Sequence, residues 1–158
     1  MLAPRTWLFP DYNQAESRVV AWKGPVPQLK QWYSEGVDVH TLVCQRIAKA
    51  LQTMKMPMPT SYGRELFKWK HYEEFGRGDE EREQTKRIVH GSNYGEGIAK
   101  LALIIGVDEK TATILHKIYH SLFPEVKINY QAGIEREIRK SKTLWKQDRC
   151  FILEITNM

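Results

Sequence analysis

The sequence predicts a mostly helical α+β fold, with short strands near its two ends. Three observations carry that expectation. Through the middle of the chain apolar residues recur at steps of three and four, the spacing of one helix face. Short apolar runs bounded by turn residues stand near both ends. The chain has 158 residues, 42% hydrophobic and 27% charged, the size and balance of one domain with its own core. That balance excludes a disordered chain. No apolar run approaches the ~20 residues that span a bilayer, which excludes a membrane-spanning class.

In order, Thr6 to Phe9 reads as a strand. Pro10 and Asp11 end or edge it, because proline cannot donate to a ladder. Gln14 to Trp22 has helical spacing, with Ala15, Val19 and Trp22 on one face. Lys23-Gly-Pro-Val-Pro27 stops that helix. Leu29 to Tyr33 begins another amphipathic turn. Asp38 can cap a helix through Leu51, with Leu42, Val43, Ile47 and Leu51 on its inner face. Cys44, beside Val43 and Ile47, reads as core.

Residues 52 to 78 are least regular and predict a loop or mobile insertion, with a short helix somewhere in Arg64–Tyr72. Met54, Met56 and Met58 read as gap-filling core material. Asp79, Glu80 and Glu81 place negative charge at the start of a helix to about His90, where the macrodipole favours it. Asp108 caps a helix carrying Ala112, Leu115, Ile118, Tyr119 and Leu122. Pro124 sits in the first turn of a helix with Val126, Tyr130, Ile134 and Ile138 at steps of four. Leu144–Trp145 and Cys150–Ile155 read as strands of a hairpin around Gln147-Asp148.

Charge gives a direction. Lys and Arg number 24 against 19 Asp and Glu, a net charge of +5, with a pI of about 9.2. That is the footprint of a phosphate-backbone binder or, equally, of a merely soluble basic protein. Cys44 and Cys150 lie far apart and form no Cys-x-x-Cys pair, which argues against a zinc module or a disulfide scaffold. A reducing, cytoplasmic setting is the expectation, because the apolar stretch in MLAPRTWLFPDYNQ is too short for a signal peptide.

Two constellations carry chemistry. The first is Asp11-Tyr-Asn-Gln14-Ala-Glu16-Ser-Arg18. A carboxylate directly after a strand is fixed by the strand and can hold a metal ion; Glu16, at a helix start, can face the same space. Read alone, an Asp after Pro is more often a turn residue or an N-cap than a metal ligand. The second is the row Arg82, Lys86, His90 and Tyr94, at steps of four on one helix face and spanning ~18 Å. Two cations suit a triphosphate, and the rings suit a base or sugar. Gly91 and Gly95 would let backbone approach a ligand. The competing reading is a solvated charged face ending at a glycine cap, with Tyr94 in the core.

Together these segments resemble the family A (polymerase I-like) DNA polymerases. Asp11–Arg18 is similar to motif A, usually DYSQIELR. Arg82-x3-Lys86-x3-His90-x3-Tyr94-Gly95 is similar to motif B, R-x3-K-x3-aromatic-x3-YG. Gly36-Val-Asp38-Val-His40-Thr41 resembles the family's G-x-D-[IV]-H-T, and Tyr119-His-Ser-Leu-Phe123-Pro124 its Y-x-x-x-[FY]-P. The four stand in the family's order, over about Phe9 to Arg149.

The resemblance implies roles. Asp11 would be one of two aspartates holding the catalytic Mg2+ ions. Glu16 would lie beneath the incoming sugar and exclude a 2′-hydroxyl. Arg82, Lys86 and His40 would contact the triphosphate, Lys86 as the catalytic cation. Tyr94 would stack at the templating position, with Gly95 letting the helix end close to it. Gln14 would lie near the primer or template minor groove, with Arg18 beside it on DNA. His90 would sit over the base and sugar of the incoming nucleotide, where the family usually has Phe or Tyr.

The fold implied is a set of fingers helices inserted between short palm strands: about 1–25 a palm strand with motif A, 26–140 the fingers, and 141–158 a return to palm strands. The partners implied are a DNA primer-template, a deoxynucleoside triphosphate, and the thumb and motif C portion of the polymerase. Motif C, a His-Asp-Glu hairpin with the second metal aspartate, has no counterpart here: His71 is followed by Tyr, His116 by Lys and His120 by Ser. Two-metal chemistry needs ions ~3.5–4 Å apart, clamped from both sides. The expectation is therefore a polymerase fragment that contributes nucleotide binding and one metal aspartate, inactive alone.

The alternatives are a fragment of a single-subunit RNA polymerase, which shares the K-x7-YG helix but needs room where Glu16 stands, or a non-catalytic nucleotide- or DNA-binding module. His116 and His120, four apart, have a spacing that can hold a metal, but no glutamate between them completes a metalloprotease helix. They read as partly exposed surface histidines. Lys140, Lys142, Lys146 and Arg149 form a basic run that suits phosphate contact or solvent equally.

Overall fold

The computed structural model describes residues 14–59 and 70–141. Asp11, the expected strands at 6–9, 144–145 and 150–155, and most of the expected helix in 64–72 lie outside the described residues. Within them every regular element is helical. The α-helices are α1 (Ala15–Lys23), α2 (Pro27–Ser34), α3 (Val39–Thr53), α4 (Glu80–Asn93), α5 (Ile98–Ile105), α6 (Glu109–Leu122) and α7 (Ala132–Ser141). A 3₁₀ turn covers Tyr72–Glu74, and a π-helical segment, Val126–Gln131, leads into α7.

Local chemistry sets most boundaries. Gly24 ends α1 and Pro27 opens α2. Asp38 accepts a hydrogen bond from the Thr41 amide at 3.3 Å, capping α3. Asp108 accepts from the Lys110 and Thr111 amides at 2.9 and 3.0 Å, capping α6. Asp79, before α4, turns its carboxylate to the Gly76 amide and to Lys70, at 2.6 and 2.8 Å.

The structure corrects four local readings. First, α5 is an additional helix. Its apolar run Leu101-Ala-Leu-Ile-Ile105 has no polar face to announce a period, yet Leu101, Ala102 and Ile105 are buried while Leu103 is 83% exposed. Second, the buried face of α1 is Ser17, Val20 and Ala21, and Trp22 is half exposed. Small residues let α1 approach its neighbours closely, so the largest apolar side chain points away. Third, the helix after Pro124 widens into a π turn, so Val126 and Tyr130 are buried but Ile138 is exposed. Fourth, Met54 is exposed, while Met56 and Met58 pack on the core.

α4 is the central element, touching α1, α3, α5, α6 and the π-helical segment. Ile88 and Val89 enter a core with Val43, Ile47 and Leu51 of α3, Leu101 and Ile105 of α5, and Leu115 and Tyr119 of α6. Cys44 is buried in a smaller cluster with Ala48 and Phe75. Two buried polar contacts hold the ends of α4. Gln84 donates to the Ile105 carbonyl at 2.6 Å, and Tyr119 donates to Asn93 Oδ1 at 2.5 Å. Gln131 caps the last turn of α4, donating to the carbonyls of Ser92 and Asn93 at 2.7 and 3.1 Å. The π-helical segment thus fixes the end of α4 that carries His90 and Tyr94.

Candidate functional site

One cleft of about 400 Å³ opens between the start of α1, the start of α3 and the outer face of α4. Gln14, Glu16, His40, Lys86, His90 and Tyr94 line it, residues far apart in sequence. The remaining lining comes from Ala15, Ser17, Val20, Val89 and Asn93.

Gln14 enters the cleft from a left-handed backbone, with φ at 56°. Its Oε1 is buried without a partner. A non-glycine residue there costs about 1–2 kcal/mol and marks a position held by its surroundings. Two residues later, Glu16 Oε2 stands 2.7 Å from His90 Nδ1. That contact joins α1 to α4 across the cleft. The His90 ring also meets the edge of Tyr94, with centroids 4.8 Å apart.

His40 forms another wall. Burial first, and then the Arg82 guanidinium, push its imidazole down to about 4, so it is neutral near pH 7. Its Nδ1 is buried without a partner. The opposite behaviour holds at Asp38, two residues back. Burial works against its charge, but Arg82 and Arg77 outweigh that and hold its carboxyl at about 2.

The row on α4 divides. Lys86, His90 and Tyr94 line the cleft; Arg82 does not. Its side chain, 9% exposed, donates to Asp38 Oδ2 at 2.6 Å, Thr41 Oγ1 at 3.0 Å and Glu83 Oε1 at 2.7 Å. Its fork ties the start of α3 to the start of α4. Arg18 lies outside the lining too, with its guanidinium 4.5 Å from the centroid of the Tyr33 ring. Gly91 faces inward: a Cβ there would meet Leu101 Cδ1 at 2.8 Å, so its lack of a side chain serves packing on α5. Gly95 has the left-handed backbone, φ 70°, that ends α4 beside Gln131. Glu83 lies outside the step-of-four row, and its i,i+3 spacing to Lys86 is the signal of their pair.

His116 and His120 lie outside this cleft. Their Nε2 atoms are 3.1 Å apart, and His120 Nδ1 is buried without a partner. One of the two Nε2 atoms carries a proton and donates to the other, and the tautomers set which. Among the described residues no group of three or more His, Cys, Asp or Glu converges as a metal cage. None of their helices is long and apolar enough to cross a membrane.

A basic chain whose cleft combines a lysine, two imidazoles, a tyrosine ring and one carboxylate suits a phosphorylated ligand with a ring. Comparison with family models identifies the family: that of DNA polymerase family A matches residues 2–157. The chain belongs to DNA polymerase family A. A comparison with curated proteins finds no match. Membership makes the chain part of a family of nucleotidyltransferases that work on DNA with deoxynucleotides. The cleft lies wholly within the matched span.

Proposed function

We propose that the cleft binds the incoming deoxynucleoside triphosphate of template-directed DNA synthesis, and that these 158 residues are the fingers and first part of the palm. In this reading about 1–25 supply the motif A strand and turn, 26–140 the fingers, and 141–158 the return to the palm. One observation carries it. Six residues from three motif-like segments, Gln14, Glu16, His40, Lys86, His90 and Tyr94, line a single cleft.

The chemistry assigns each a task. Lys86 offers its ammonium to the polyphosphate. His40, neutral in the empty cleft, can donate an N–H to a phosphate oxygen and gains a proton more readily beside that charge. The Glu16–His90 contact crosses the cleft where the sugar would lie, and a 2′-hydroxyl would meet it. Tyr94, at the end of α4, offers a ring for the templating base. Arg82 acts through structure, holding α3 against α4 so that His40 and Lys86 face one space.

The Mg2+ ions of phosphoryl transfer need carboxylates from two sides. The described lining offers one, Glu16, and His90 engages it. The described lining therefore does not fit a two-metal site. Asp11 would supply one metal ligand, and a motif C aspartate from the rest of the polymerase the other. These 158 residues then bind nucleotide without turning it over.

Calorimetry of the chain with dATP, ATP and deoxyadenosine tests the reading. Binding of dATP over deoxyadenosine, lost on Lys86→Gln, is the expected result. Equal affinity for ATP and dATP would favour the RNA polymerase reading. Equal affinity for dATP and deoxyadenosine would leave no role for the phosphates and overturn the assignment.

A further inference from the structure

The cation that faces the cleft already has an anionic partner. Lys86 Nζ donates to Glu83 Oε2 at 2.9 Å. The other oxygen of the same carboxylate, Oε1, accepts from Arg82 Nη1 at 2.7 Å. One carboxylate therefore bridges two of the cations in the α4 row, much as two oxygens of a phosphate would. The two cations differ in what they can do next. Arg82, 9% exposed, is also bound by Asp38 and Thr41, whereas Lys86 is 42% exposed and pairs with the half-exposed Glu83. Lys86 is the cation that can swing into the cleft.

We propose that Glu83 is an internal competitor for the phosphate site: it holds Lys86 in the empty cleft, and an entering polyphosphate must take the lysine from it. The inference rests on the nucleotide reading above. An exposed i,i+3 pair is weak, so Lys86 is released easily. The carboxylate then keeps Arg82 alone, and the entering phosphates must compensate it for the cation they remove. Glu83 thus lowers affinity for any polyphosphate and speeds its departure, without touching the sugar or the base.

The test titrates the full chain with inorganic tripolyphosphate, dATP and deoxyadenosine, comparing wild type with Glu83→Gln, Glu83→Ala, Lys86→Gln and the Glu83→Gln/Lys86→Gln pair. Removing the charge of Glu83 should tighten tripolyphosphate and dATP about three- to tenfold and leave deoxyadenosine unchanged. In the Lys86→Gln background the gain should shrink below twofold. Glu83→Gln keeps an acceptor for Arg82, so a melting curve like wild type is expected. A second readout needs no variant. The Glu83 carboxyl is held below the ordinary carboxylate range, chiefly by its bond to Lys86. Carbon NMR should show it titrating higher once tripolyphosphate is bound. Wild-type binding with no gain in either Glu83 variant, or a Glu83 titration unmoved by saturating tripolyphosphate, overturns the inference and leaves the nucleotide site standing. Absence of tripolyphosphate and dATP binding in every protein overturns the nucleotide reading itself.

Discussion

Glu16 Oε2 lies 2.7 Å from His90 Nδ1, and this contact joins the first turn of α1 to the outer face of α4. Both side chains are more than half exposed, at 59% and 55%. An exposed pair of this kind is worth less than ~1 kcal/mol to folding. Its place across the cleft is therefore a matter of ligand geometry more than stability.

Glu16→Ala and His90→Ala should accordingly leave the urea midpoint nearly unchanged. Glu16→Ala should reduce the preference for dATP over ATP about tenfold, or ~1.4 kcal/mol. Paired titrations with the two nucleotides measure this. An unchanged ratio would remove Glu16 from sugar selection.

Arg82 behaves in the opposite way. Its guanidinium and Asp38 form a nearly buried pair, 9% and 12% exposed, that bridges α3 and α4. Removing one member of such a pair strands the other. Arg82→Ala should cost about 3–5 kcal/mol in urea unfolding. Arg82→Lys should recover only part of that, because an ammonium cannot reach Asp38, Thr41 and Glu83 together. A loss under 1 kcal/mol would show that the fork carries no load.

Acid should weaken the fold in a defined window. His40 and His120 are pushed down to about 4, in both cases chiefly by burial, and burial lowers His116 as well. In the unfolded chain each titrates near its ordinary ~6.5. The unfolded state therefore binds more protons, and stability falls as pH drops from about 6.5 to 4. Uptake on unfolding near pH 5 should be about two protons. His40→Gln should remove about one of them. Below that window Asp38, held at about 2, adds its own loss. Melting temperatures across this range check the slope; a flat profile above pH 4.5 would contradict the buried neutral histidines.

Gly24, the C-cap of α1, has no room for a side chain. A Cβ there would meet Tyr130 Cβ at 2.8 Å and the Val20 carbonyl oxygen at 2.9 Å, neither of them a flexible tip. Gly24→Ala should destabilise by about 1–3 kcal/mol. Calorimetric melting measures it, and a neutral result would mean that α1 can move off the π-helical segment.

Much of this was legible in the sequence, for reasons that differ by element. Asp38, Asp108, Gly24 and Pro27 act within one turn, so their boundaries are readable locally. α5 was not, because a continuously apolar run has no period, and its two glycine neighbours gave no face. Periodicity does not give the inner face of α1, because Ser17 and Ala21 are buried through their smallness, a property of the neighbours. The step-of-four row on α4 put Lys86, His90 and Tyr94 together. It could not show that Arg82 is taken by Asp38, a partner 44 residues away. Nor could periodicity place His40 and Glu16 in the same cleft; that pairing came from the resemblance, and their shared cleft from the packing of α1 and α3 on α4.

The most direct test of the nucleotide site is amide chemical-shift mapping of the isotopically labelled chain on addition of dATP. The account predicts that the largest changes fall on Gln14, Glu16, His40, Lys86, His90 and Tyr94, and that Lys86→Gln weakens them together. Changes centred elsewhere, such as on His116 and His120, or none at millimolar dATP, would contradict it.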